Sequence, residues 1–178
     1  MLSLPWIAAL IAIFSWWFFT GIILLIVRRK DVAGATAHGA SVVWGVPLLA
    51  LGIFGAVISA ASLSVANIYL AFFSVLLIWG WIELAFLSGV ITGPLRDSCP
   101  TSLRGWARFR RAWQTVSHHE ALLLSGLVLM AVIALDAANP LGFWAYFILF
   151  AARISAKLNL FFGVPRINLA FIPQPLLH

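Results

Sequence analysis

Apolar residues run through this chain in five long blocks, covering residues 5–27, 41–60, 65–91, 119–137 and 140–162. Each block is long enough to cross about 30 Å of hydrocarbon at about 1.5 Å of rise per helical residue. The pattern predicts an all-α, polytopic membrane helix bundle: one transmembrane domain over residues 1–178, with about five spans and no internal repeat. The turn near Ser62 and Ser64 and the turn from Asp136 to Pro140 are short, so spans two and three, and spans four and five, form antiparallel hairpins. Small residues at Gly45, Gly52 and Ala56 would let the second span approach a neighbour closely.

The loop at residues 92–118 contains a sixth helical pattern at 102–116. Leu103, Trp106, Phe109, Trp113 and Val116 recur at steps of three or four, and Arg104, Arg108 and Arg111 fall opposite them. This predicts one interfacial amphipathic helix, with Arg104, Trp106, Arg108, Arg110, Arg111 and Trp113 facing headgroups or docking the cytoplasmic side of another membrane protein.

Composition agrees with lipid as the solvent, since 63% of residues are hydrophobic and only 9% are charged, against roughly a quarter charged in soluble domains. The net charge of +6 does not point to nucleic acid, because the basic residues lie between apolar runs and not on a hydrophilic face. Their distribution sets an orientation instead. Nine of the eleven Lys and Arg residues fall in residues 28–40, residues 92–120 or the tail at Arg166, and the intervening connections have none. The positive-inside rule then places the N-terminus in the periplasm and the end of this segment in the cytoplasm of a bacterial inner membrane. The single cysteine, Cys99 beside Pro100, reads as an unpaired thiol.

Ionisable side chains within the hydrocarbon each cost about 2.5 kcal/mol or more on insertion scales, and so need a partner or a function. Glu83 stands eight residues before the end of the third block, about 12 Å deep at about 1.5 Å per residue, and Arg153 and Lys157 lie at similar depth on the fifth. Arg153 and Lys157 share a helix face, which predicts that one of them pairs with Glu83 and that the face points into the bundle. The same three residues could instead line a pathway for a small transporter or carrier. His118, His119 and Glu120 stand where the fourth span leaves the cytoplasmic surface, with His38 at the matching level before the second. They read as interfacial caps, or the histidines as pigment ligands through a neutral imidazole, with at most one of the adjacent pair facing a given centre. No zinc-binding spacing, hydrolase constellation or phosphate loop occurs in the sequence, so no metal site or catalytic residue is assigned, and an enzyme is the weaker class.

Several blocks taken together carry a likeness. They are Trp16-Trp17-Phe18-Phe19-Thr20-Gly21, Trp79-Gly80-Trp81-Ile82-Glu83 with Thr92-Gly93-Pro94, Cys99-Pro100 followed by Gly105-Trp106-Ala107-Arg108-Phe109-Arg110, His119-Glu120, and Arg153-Ile154-Ser155-Ala156-Lys157-Leu158-Asn159. Over nearly its whole length the chain resembles the photosynthetic-complex assembly proteins of purple bacteria, the PuhE type. The resemblance implies an accessory or assembly subunit of the photosynthetic membrane whose partners are the reaction-centre and core light-harvesting polypeptides. It also implies an influence on bacteriochlorophyll supply, which makes bacteriochlorophyll or a carotenoid, together with lipid, the candidate cofactors. Family members often carry His where Ile82 stands, which counts against pigment ligation at that position in this chain. They also continue through further hydrophobic segments, so the resemblance implies spans beyond residue 178.

Overall fold

The computed structural model describes residues 4–97, 100, 102–163 and 172–176. Cys99 and Arg166, and the expectations attached to them, lie outside these residues. Among the described residues the chain is all-helical, with five helices long and apolar enough to cross a membrane: α1 (Pro5–Ala33), α2 (Ala35–Ser59), α3 (Val65–Leu87), α4 (Gly105–Ala134) and α5 (Leu141–Gly163).

The axis of the bundle is α3. It packs against each of the other four helices, and 61% of its apolar window is buried, against 11% for α1 and 6% for α5. Its residues Val75, Ile78, Trp79 and Ile82 form one core with Ala56 of α2, Leu123 and Met130 of α4 and Tyr146 of α5. A second, smaller core joins Leu84 and Ala85 to Val27 of α1 and Val42 of α2. The tightest pairing is α2 on α3, and glycine makes it possible. A β-carbon at Gly45 would press on Trp81, and one at Gly52 on Ile78 and the Ser74 carbonyl, so backbones approach where lipid supplies no hydrophobic drive to do it. Trp81 crosses the same interface, its indole N–H donating to the Val42 carbonyl at 3.0 Å. That bond lies beside the turn in which Pro47 withholds its helical donor from Val43.

Polar contacts define the two ends of the bundle. At one end the hairpin turns meet: Asn139 donates from its side chain to the carbonyls of Ser59 (3.0 Å) and Asn67 (3.2 Å), and its backbone N–H donates to Ala60. The Asn139 side-chain oxygen accepts from the Leu141 N–H at the start of α5, and Ser64 caps α3 by accepting from the Asn67 N–H. At the other, basic end, Gly93 lies directly on the backbone of Gln114 and Thr115, and the Thr92 carbonyl accepts from the His119 N–H at 2.9 Å. Any side chain at Gly93 would force the connecting segment away from α4.

Three boundaries differ from the sequence pattern. The first helix continues past residue 27 through Arg28, Arg29 and Lys30, because nothing stops it until Gly34 adopts a φ of 102°. The third helix ends at Leu87 and not at residue 91. The N–H groups of Ser88, Gly89, Val90 and Ile91 fold back on the carbonyls of Leu84, Phe86 and Ala85, with Gly89 at φ 68°. Glu83 is therefore four residues from its helix end, about 6 Å along the axis and not about 12 Å. The third difference concerns the amphipathic segment at 102–116. It is not a separate interfacial helix: residues from Gly105 onward are the first turns of α4 itself, and no breaker interrupts the 30-residue run. The basic segment thus leaves the bundle along the helix axis, where Phe109 meets Phe161 of α5 at a centroid distance of 5.6 Å.

Candidate functional site, a polar cluster where three helices meet

Continuity of α4 carries two residues expected at the surface into the interior. His119 is fully buried against the stretch of α3 that carries Glu83 and Phe86, and Glu120 is 4% exposed. From α5, Arg153 reaches Glu83 with Nη2 3.2 Å from Oε2, and His119 Nε2 stands 3.8 Å from Oε1 of the same carboxylate. Lys157, one turn beyond Arg153, turns to Glu120 and not to Glu83. Phe86 forms the apolar centre of this group. The imidazole of His119 meets its ring edge-on at 4.2 Å, and Arg153 and Lys157 lie over the ring at 5.6 and 5.8 Å.

Glu83 and Glu120 balance Arg153 and Lys157, so with His119 neutral the cluster carries no net charge. This is the arrangement that makes ions tolerable within a bilayer, because each charge has an opposite partner and the two cations also lie over the Phe86 ring. Chemically the cluster can fix the mutual rotation of α3, α4 and α5, and it can offer hydrogen-bond donors to a molecule that reaches it. A groove of about 350 Å³ between α1, α3 and α5 does reach it, with Glu83 and Arg153 among its walls.

The three candidate histidines do not converge. His38 is buried at the start of α2 with Nε2 3.1 Å from Asp31 Oδ1, His119 belongs to the cluster, and His118 is exposed. Among the described residues no group of three or more His, Cys, Asp and Glu is arranged to hold a metal ion. The arginine-rich segment remains on the surface: Arg104, Arg108 and Arg110 are exposed, as are Trp106 and Trp113 at 75% and 49%. Arg111 is partly buried and donates to the Asp97 carbonyl at 3.5 Å, and Arg108 lies over the Phe161 ring at 5.3 Å. Sequence reasoning did not bring together Glu120 with Lys157 or Asp31 with His38. The signal for the first was the absence of Pro, and of any Gly but Gly126, between Gly105 and Ala134, which argues for one helix with its fifteenth and sixteenth residues inside the bundle.

The family model described as "Protein of unknown function (DUF3623)" matches residues 2–178, and the chain belongs to that family. The chain is 51% identical over 174 residues to a Rhodobacter capsulatus protein described as an uncharacterized 30.4 kDa protein in the puhA 5′ region. The match covers 98% of this chain but 64% of the relative, so the chain spans about two-thirds of that protein's length. No solved structure matches it.

Proposed function

We propose that this member of the DUF3623 family is a non-enzymatic accessory or assembly subunit for the photosynthetic reaction centre and core light-harvesting complex. In this reading it acts by lateral helix contact in the bacterial inner membrane, with its basic end in the cytoplasm. The observation that carries it is α1: only Ser15 and Val27 of its 29 residues are buried, and Trp6, Trp16 and Trp17 are each more than half exposed. A long apolar helix held by one edge leaves a broad face for another membrane polypeptide. The position of the Rhodobacter relative in the puhA 5′ region supports a photosynthetic partner. The exposed arginines and tryptophans at the start of α4 are a second contact, at the membrane surface. Handling of bacteriochlorophyll or a carotenoid belongs to the same proposal, and His118 is the exposed imidazole available to such a pigment.

Purification of the tagged protein in mild detergent tests this. Reaction-centre and core antenna polypeptides, with their pigment absorbance, are expected in the eluate. A deletion strain that still makes normal amounts of core complex would overturn the reading. A second reading, a small carrier, is favoured by the groove that reaches Glu83 and Arg153. It expects Glu83→Gln to stop movement of the cargo with the protein still in the membrane, and unchanged movement rules it out.

A further inference from the structure

The groove between α1, α3 and α5 is lined mostly by apolar side chains, Trp16 of α1 and Trp79 of α3 among them, with Thr20, Glu83 and Arg153 as its polar members. Its volume of about 350 Å³ falls in the range of small-molecule sites, roughly 300–1,000 Å³, and its make-up of many apolar groups and few polar ones is theirs as well. Along α3 it runs from Leu76 to Leu87, about 16 Å at about 1.5 Å per residue, which is longer than a single ring. Gly80 leaves its floor bare: a β-carbon there would touch only Ile23, at 3.5 Å.

The polar wall restricts the occupant. Arg153 has 27% of its side chain exposed, and its ion pair with Glu83 runs through Nη2. A guanidinium has five N–H donors, so it keeps donors for an acceptor oxygen in the groove. The charges around it already sum to zero, so an anionic head would bring an uncompensated charge into the bilayer, whereas a neutral carbonyl would not. Aromatic walls suit a flat ring, and the length of the groove suits a tail behind it.

We infer that this groove binds an uncharged lipophile of the quinone class, its ring between α1 and α3, a carbonyl oxygen accepting from Arg153, and its tail along α3. The inference rests on the groove alone and stands apart from the choice between accessory subunit and carrier.

The test titrates the purified full chain in detergent micelles with decylubiquinone, reading tryptophan quenching and the bound mass by native mass spectrometry. Saturable binding of one molecule per chain is expected, at least tenfold tighter than decylbenzene, which lacks the oxygens, and than decanoate, which is anionic. Removing the charged donor in Glu83→Gln/Arg153→Met should weaken binding about tenfold or more, with the ion pair deleted as a unit. Gly80→Leu and, independently, Thr20→Trp on α1 should fill the groove and abolish binding while thermal unfolding shows the fold retained. Equal binding of decylbenzene, tighter binding of decanoate, or quenching that does not saturate and is unchanged in both filled variants would each overturn the assignment.

Discussion

Arg153 on α5 holds Glu83 on α3 at 3.2 Å, while its neighbour Lys157, one turn away, is committed to Glu120 on α4. Two acids on two helices are thus matched to two bases on a third, and α5 acts as the strap. Glu83→Gln should leave Arg153 without its counter-charge and lower resistance to unfolding in mixed detergent micelles by about 2–4 kcal/mol. The double variant Glu83→Gln/Arg153→Met should recover most of that loss. A loss in the double variant equal to the sum of the losses in Glu83→Gln and Arg153→Met alone would show that the pair is not coupled.

Asn139 joins the two hairpin turns through side-chain bonds to Ser59 and Asn67, accepts from the nearby Leu141 N–H, and is 4% exposed. Asn139→Ala leaves the Ser59 and Asn67 carbonyls without this donor, at a cost of about 1–3 kcal/mol. Asn139→Asp keeps the acceptor for Leu141 but loses the donors, so it should also destabilise. The fluorescence-detected unfolding midpoint in detergent checks both.

Two glycines, Gly93 in the connection before α4 and Gly80 within α3, should respond in opposite ways. A methyl group at Gly93 would overlap the Gln114 and Thr115 backbone, so Gly93→Ala should destabilise by about 1–3 kcal/mol and free the amide of His119 from Thr92. At Gly80 the methyl has room against Ile23, and the exchange to Ala inside a helix should be neutral or stabilising by up to about 1 kcal/mol. Hydrogen exchange at the His119 amide distinguishes the two.

Arg104, Arg108 and Arg110 contribute little to the fold, since exposed substitutions usually stay within about 0.5 kcal/mol. Their joint replacement by Ala should lower the unfolding midpoint only slightly, through loss of about 0.5–1 kcal/mol from the Arg108–Phe161 contact, but reduce co-purification of photosynthetic polypeptides. Retained co-purification would remove this segment from the docking surface.

Orientation is checked in intact cells with an impermeant maleimide, after Cys99→Ser removes the native thiol. Ser62→Cys, in the exposed turn between α2 and α3, should label from outside, and Arg110→Cys only after lysis. The reverse pattern would invert the bundle.

The sequence by itself determined the five spans and the two tight hairpins. Block length against bilayer thickness decides the spans, and a continuous apolar segment of about 20 residues satisfies its own backbone in lipid as a helix. It also determined that Glu83, Arg153 and Lys157 require an explanation, because ions in hydrocarbon are expensive wherever they fall. Only the tertiary structure decided how the charges are shared. Whether Lys157 turns to Glu83 or Glu120 depends on the rotation of α4 against α5, and that rotation depends on α4 running unbroken from Gly105, so that His119 and Glu120 enter the core and do not cap a new helix. The groove beside Gly80 is likewise a product of packing: three helices leave it between them, and no stretch of any one of them encodes its shape.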